Sequence, residues 1–459
     1  MQRPNLLFIL SDQFRAMCLE DDPVRTPNLD RLRTESLMLT QAVSCYPVCS
    51  PHRAMLMTGR HPSLNGVPRN VNDSRPDVGL RGGQETWASV LAGVGYQTGM
   101  IGKWHLEQPV IPDDEIHGEG RRSDGKVWDA WSPPERRFGF QFWHGHGCND
   151  HHLTPHYWET DSPREQRLDV AQWSAEHETD VALDYLGALD RDRPFALMVS
   201  WNPPHQPFDE LPDWAPLEHY EGRPAESLLV RPNVRLDSPA GTEAARIAPQ
   251  YFAAVECIDV QVGRLLDRLA ELGLADDTIV VFSSDHGMQL GSHDEIYKNT
   301  PWEESMRLPC LIRVPGLEAG TTDTMLTSVD IAPTLLGLCG LAAPAMMQGR
   351  DVSDQLLGTV ANDARDVSLY YRWPVDDRSS GARGVRTHRH KYVVVREADG
   401  ATESVLIDLE SDPYEQHPLD DPALESELAA LLLAELAAAG EDWEGLDWVR
   451  SRLREGATT

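Results

Sequence analysis

Three short apolar runs, far apart in the chain, each stop at a polar loop. Leu6-Leu7-Phe8-Ile9-Leu10 ends at Ser11-Asp12-Gln13, and residues 194–200 (PFALMVS) lead to Asn202-Pro203-Pro204-His205. Thr278–Phe282 opens into Ser283-Ser284-Asp285-His286-Gly287. Runs of this length and bounding read as strands buried on both faces. Helical patterns lie between them: residues 84–95 (QETWASVLAGVG), and 249–272 with Phe252, Val255, Ile258, Val262, Leu265, Leu266 and Leu269 at helical spacing. The alternation predicts an α/β fold, a mostly parallel sheet covered by helices on both faces. Functional groups in such sheets gather beyond the carboxyl ends of the strands, so Asp12, His205 and Asp285 are expected at one site.

The pattern changes after about residue 365. Residues 391–396 (KYVVVR) and 404–409 (SVLIDL) read as strands joined by the turn Glu397-Ala398-Asp399-Gly400, and a helix is expected over 422–439. A chain of 459 residues accommodates two unequal domains, expected here as 1–365 and 366–459. Residues 212–246, rich in Pro, Glu and Arg, read as a surface excursion. The first apolar run is too short for a membrane span or a signal-peptide core, and no small-residue cleavage site follows it. Cytoplasmic localisation without a membrane partner is the resulting expectation.

A formal net charge of -32 argues against nucleic acid as a partner and disfavours long polyanions. Seven cysteines without C-x-x-C pairs argue against a disulfide framework or a structural zinc site. Of 41 Lys+Arg, the lysines are Lys103, Lys126, Lys298 and Lys391. Where a chain otherwise uses arginine, a retained lysine suggests need of a compact, movable ammonium.

The strongest motif is Cys49-Ser50-Pro51-His52-Arg53, continuing to Thr58-Gly59-Arg60. It resembles the C-x-P-x-R element of type I sulfatases of the alkaline phosphatase superfamily, where a maturase oxidises cysteine to formylglycine; His52 stands where serine is commoner. A second stretch, Gly95-Tyr96-Gln97-Thr98-Gly99-Met100-Ile101-Gly102-Lys103-Trp104-His105, is similar to the family's second motif. Asp408-Leu409-Glu410-Ser411-Asp412-Pro413-Tyr414-Glu415 resembles the D-L-x-x-D-P-x-E segment near the end of bacterial members. The resemblance implies an α/β/α sandwich around a large mostly parallel mixed sheet, with a smaller C-terminal antiparallel sheet plus helix.

It also implies a mechanism. Hydrated formylglycine attacks sulfur with one oxygen and keeps a second hydroxyl, whose deprotonation expels sulfate and restores the aldehyde. Arg53, one helical turn after Cys49, would hold the hydrate. Lys103 resembles the lysine on the sulfate oxygens and His105 the elimination base. His205 and Lys298 resemble the pair at the leaving oxygen. Asp12, Gln13, Asp285 and His286 are the implied ligands of one divalent metal. Oxygen donors favour calcium, while a histidine ligand also admits manganese. Many relatives carry Asp-Asp where this chain has Asp12-Gln13.

The stretch 143–152, dense in His and aromatics, reads as a pocket wall with His151 and His152 as hydrogen-bonding groups and Trp143 or Trp158 as sugar platforms. A second metal site there is the alternative. Asn70 and Arg372, the latter beside Trp373, are further substrate-binding candidates. The expected partners are a small sulfate-ester substrate, best a sulfated mono- or oligosaccharide, and the maturase. A phosphonate monoester hydrolase or phosphodiesterase of the same superfamily is the rival reading. Tyr and Thr tend to replace Lys103 and His105 in those relatives, so the intact G-K-W-H favours sulfate. A catalytically dead carbohydrate-binding relative would have lost polar site residues, and none is missing.

Overall fold

The run Leu6–Leu10 lies inside β1 (Asn5–Ser11), a central strand of a ten-stranded sheet. The computed structural model describes residues 3–110, 124–361, 366–373, 380–441, 447, 449 and 450. In chain order the strands are β1, β2 (Leu37–Val43), β3 (Gln97–Lys103), β4 (Phe142–His146), β5 (His156–Glu159), β6 (Leu168–Asp169), β7 (Phe195–Trp201), β8 (Thr278–Ser284), β9 (Cys310–Arg313) and β10 (Gly320–Thr327). Across the sheet the order is β10-β2-β9-β8-β1-β7-β3-β4-β5-β6. The pairs β8–β1, β1–β7, β7–β3, β3–β4 and β2–β10 are parallel. β9 runs antiparallel to both β8 and β2, and β5 and β6 make an antiparallel edge. The sheet is therefore mixed and mostly parallel.

β1 shows why its sequence has no polar alternation. Leu6, Phe8 and Leu10 pack on one face with Leu56, Trp87, Met100 and Leu335. Leu7 and Ile9 pack on the other with Phe252, Val255, Ile258 and Leu265. Each such side chain, fully buried, contributes about 1.5–3 kcal/mol. The first face is covered by the helices Cys49–Thr58, Trp87–Gly93 and Ile331–Leu338, the second by Ser174–Gly187 and Pro239–Glu271. The last of these starts ten residues earlier than the apolar spacing predicts. Ser238 caps it, its hydroxyl accepting from Gly241 N, and Pro239 takes the first turn, where its missing N–H costs nothing. Part of the stretch read as a surface excursion is thus helix.

The C-terminal sheet has four antiparallel strands in the order β11 (Val367–Arg372), β12 (Gly381–Thr387), β13 (His390–Arg396) and β14 (Thr402–Asp408). The sequence shows β13 and β14 but conceals β12, because Arg383 and Arg386 sit at buried positions in it. Arg386 pairs there with Glu303. The helix Pro422–Ala438 lays Leu428, Leu432 and Leu436 against this sheet, and the same apolar cluster takes in Cys45, Tyr46, Val48 and Met55 around the start of the helix at Cys49. The expected boundary at 365 falls outside the described residues.

Beneath the end of β3, Gly102 is forced. Its φ is +96°, and a Cβ there would lie 2.3 Å from the Ser200 carbonyl and 2.8 Å from Glu178 Oε2. Glu178 is buried, with the Tyr157 hydroxyl donating to Oε1 at 2.9 Å. Burial pushes its carboxyl up to about 8, against the weaker pull of Tyr157 and Arg53. His146 Nε2 is 3.8 Å from the same carboxyl, but burial drives His146 down to about 3. The two groups therefore meet neutral.

Gly102→Ala should lower stability by about 1–3 kcal/mol from backbone strain alone, with the clash on top, read as a lower urea midpoint at unchanged m. Glu178 binds its proton more tightly when folded, so its contribution is complete below pH 4.5 and is lost as pH rises toward 8. Glu178→Gln should therefore melt increasingly above wild type between pH 5 and 8, by on the order of 2–4 kcal/mol at the upper end. A constant difference across that range would contradict an uncharged native Glu178.

Candidate active site

The site assembles at the carboxyl ends of β1, β3, β7 and β8. Cys49 is the first residue of the buried helix Cys49–Thr58. Its Sγ lies 3.3 Å from His286 Nε2, 3.5 Å from Lys298 Nζ and 3.8 Å from Asp12 Oδ1. Burial and Asp12 push the thiol up, but Lys103, Lys298 and His286 together hold it well below its ordinary range. Desolvation would likewise raise Asp12, yet Lys103, His205, His286 and Lys298 keep it well below the usual carboxylate range. Lys103 Nζ donates to Asp12 Oδ2 at 2.6 Å and to Asn202 Oδ1 at 2.9 Å.

Arg53 is bonded to protein on every side: Nε to Asp285 Oδ2 (2.9 Å), Nη2 to Asp12 Oδ2 (3.2 Å), and Nη1 to Lys103 O (2.8 Å) and Ser200 Oγ (2.7 Å). It fixes the carboxylates in place. Gln13 adopts a left-handed backbone, φ 65°, and its Oε1 accepts from Lys298 Nζ at 3.1 Å. Asp12, Cys49, Asp285 and His286 each bring a donor atom within 4.8 Å of the others. Two buried carboxylates and an imidazole suit a divalent cation, and the Gln13 amide oxygen adds another hard donor at the same place.

His205 Nδ1 is 2.9 Å from Gln206 O and 3.7 Å from Asp150 Oδ1. Burial first, then Lys298, holds it well below its ordinary value, so it rests neutral. His105, also left-handed at φ 55°, sets Nε2 3.2 Å from Val71 O. Val71 N in turn donates to Ser50 Oγ and Asn70 Oδ1 accepts from Ser50 N, which ties His105 to the start of the nucleophile helix. His52 is turned away from the site, its Nδ1 between Ser44 Oγ (2.8 Å) and Ser328 Oγ (3.0 Å), with burial lowering it to about 3.

The weaker candidates land differently. Asn70 holds the helix start through Ser50, as above. His152 is buried with Nε2 on the His205 carbonyl (2.8 Å), so it props the loop of His205 and does not line an open wall. His151 is exposed. Trp143 is in the core beside Trp104, and Trp158 is buried with its indole N–H on Arg164 O; neither is a platform. The imidazoles of β4 pack internally as well, His144 stacking on Tyr157. Arg372 leans toward Glu397 (3.9 Å), while the next residue, Trp373, donates its N–H to the Tyr46 hydroxyl (3.0 Å).

Sequence reading missed Ser200 and Asn202, which bond Arg53 and Lys103. Both lie at the end of β7, where the strand-end rule alone could have found them. Among the described residues a second group, His293, Glu304 and Glu415, also clusters as metal ligands do. Glu415 already accepts from Lys391 Nζ (2.5 Å) and Glu304 from Arg231 (2.8 Å), so cationic side chains occupy it. Neither group draws on residues 143–152.

Similarity to known proteins identifies the family. The sulfatase family matches residues 4–341, and the family described as N-sulphoglucosamine sulphohydrolase, C-terminal, matches 291–442. An endo-4-O-sulfatase of Bacteroides thetaiotaomicron is 35% identical, over 92% of this chain and 89% of its own. An ulvan-active sulfatase of Formosa agariphila is 32% identical, over 97% and 83%. A solved structure from work on the metabolism of multiple glycosaminoglycans by Bacteroides thetaiotaomicron superposes with a TM-score of 0.89 at 33% identity, covering 98% of this chain and all of that one. Similarity of this extent, on a chain whose motifs meet at one buried centre, makes this protein a type I sulfatase of the alkaline phosphatase superfamily.

Proposed function

We propose that this sulfatase hydrolyses the sulfate ester of a sulfated glycan, with formylglycine formed from Cys49 as nucleophile and one divalent cation, calcium, held by Asp12, Gln13, Asp285 and His286. The observation that carries the reading is the Cys49 Sγ, set 3.3 Å from His286 Nε2 and 3.5 Å from Lys298 Nζ at a buried helix start. The glycan is supported by the relatives, one named an endo-4-O-sulfatase and one ulvan-active. Bound there, the cation would polarise the sulfate group and acidify the attacking hydroxyl.

The side chains divide the remaining work. Lys103 and Lys298 offer two ammonium groups to the sulfate oxygens, in a buried setting where charge stabilisation counts for more than in water. Arg53 keeps both carboxylates aimed. His105 takes the proton whose removal releases sulfate, and His205 with Lys298 serves the departing oxygen. His205 acts as an acid after the sulfate's negative charge has offset the burial that keeps it neutral in the free enzyme.

Protein made with a competent maturase should show the Cys49 peptide as aldehyde or hydrate by mass spectrometry, and should release sulfate from members of a panel of sulfated mono- and disaccharides. Cys49→Ala should abolish turnover; a normal rate in that variant would sink the nucleophile assignment. His205→Ala should lose an extra ~10²-fold on a sulfated sugar relative to an activated nitroaryl sulfate, since a poor leaving group needs the acid more. Equal losses on both substrates, with chemistry rate-limiting, would remove His205 from the leaving-group role.

A further inference from the structure

The end of β11 is bonded to both loops that flank the nucleophile. Tyr371 N donates to Cys45 O at 2.8 Å and Trp373 N to the Tyr46 hydroxyl at 3.0 Å. On the other side, the Tyr370 hydroxyl donates to the Asn299 carbonyl at 3.2 Å, and Asn299 N donates to Pro47 O at 3.1 Å. Lys298 is the residue before Asn299. Its other neighbour, Tyr297, is also pinned, its carbonyl accepting from Gln289 N at 2.7 Å. Asn299 holds a left-handed backbone, φ 70°, a conformation asparagine tolerates better than most residues but one that depends on bonds to hold it. The Tyr370 ring is 1% exposed and packs with Met306, Ala382 and Val393, so its hydroxyl has little freedom to point elsewhere.

We propose that Tyr370 is a positioning residue for Lys298: through the Asn299 carbonyl its hydroxyl fixes the backbone from which the Lys298 ammonium reaches Gln13 Oε1 at 3.1 Å and Cys49 Sγ at 3.5 Å. The inference rests on the proposed role of Lys298 at the departing oxygen. Lysine needs this support. Its stem is long and flexible, and Lys298 is only partly buried, so the ammonium is placed well only if its Cα is. The C-terminal sheet thereby becomes part of the apparatus that aims a charge at the reacting bond, although none of its side chains need touch the substrate.

The test is a double-mutant cycle of Tyr370→Phe and Lys298→Ala, with kcat and KM measured on a sulfated sugar and on a nitroaryl sulfate. Tyr370→Phe keeps the ring and its packing. It should lower kcat on the sugar roughly tenfold, with a smaller loss on the aryl ester and little change in KM, as expected when a catalytic group is slightly displaced. In the Lys298→Ala background Tyr370→Phe should cost nothing further, because the group it positions is gone. Asn299→Ala, strained at φ 70°, should reproduce the same substrate dependence and the same non-additivity. Losses that multiply in the Lys298→Ala background, equal losses on both substrates, or wild-type rates in Tyr370→Phe would each overturn the proposal. A Lys298→Ala enzyme with unchanged rates on the sugar would instead refute the role of Lys298 itself, and the inference would fall with it.

Discussion

One guanidinium joins the ends of four strands. Arg53 reaches Asp12 after β1, Asp285 after β8, the Lys103 carbonyl at the end of β3 and Ser200 in β7. Buried ion pairs are stable only when their geometry and remaining hydrogen bonds are nearly complete, since desolvation otherwise exceeds the attraction. Arginine meets that condition because its rigid fork offers five donors in one plane, which no lysine could do. The arrangement makes helix, sheet and catalytic carboxylates one object. Ionisation of the buried carboxylates is shared more widely: Lys103 first, with His205, His286 and Lys298, holds Asp12 down, and His286, then Arg53 and Lys103, hold Asp285 down.

Charge in this molecule is local. Against a net charge of -32, Arg53, Lys103, Lys298 and His286 crowd around two carboxylates and a thiol. The scarcity of lysine shows how selectively ammonium groups are used. Lys391, fully buried like Lys103, has Pro301 O at 2.6 Å, Glu415 Oε1 at 2.5 Å and Glu303 Oε1 at 2.8 Å around its Nζ. Three acceptors converging on one point match the three donors of an ammonium. That clamp ties the D-P-x-E segment and β13 to the chain just after Lys298, so the last motif of the sequence serves the assembly of the site.

What was legible in the sequence follows from range. Leu6–Leu10, residues 194–200 and Thr278–Phe282 declared themselves as strands because burial on both faces leaves an uninterrupted apolar run. The residues just beyond them could be placed at one site by a rule about strand ends. β12 could not be seen, because its buried arginines make sense only beside partners distant in sequence, Glu303 for Arg386 and Glu441 for Arg383. The early start of the helix Pro239–Glu271 was hidden by proline and small residues, which carry little periodic signal. The His-rich stretch misled for a related reason. On β4, Trp143 turns to one core and His144 and His146 to the other side, and composition cannot say that both sides are covered. The roles of Asn70 and His152 as props for Ser50 and His205 are likewise contacts that exist only after folding.

The topology also sets a clock. β1 is synthesised first, yet its partners in β7 and β8 lie 190 and 273 residues further along the chain. At about 5–20 residues per second the second partner emerges roughly 15 to 55 s after the first strand, so the apolar run Leu6–Leu10 waits that long without its final neighbours. The Cys49 helix waits with it, since Asp285, His286 and Lys298 arrive no sooner. Throughout this interval the thiol, at 2% exposure in the folded protein, lacks the buried surroundings that Asp285, His286 and Lys298 complete. A macromolecule acting on the Cys49 side chain would therefore meet it most openly before β8 docks.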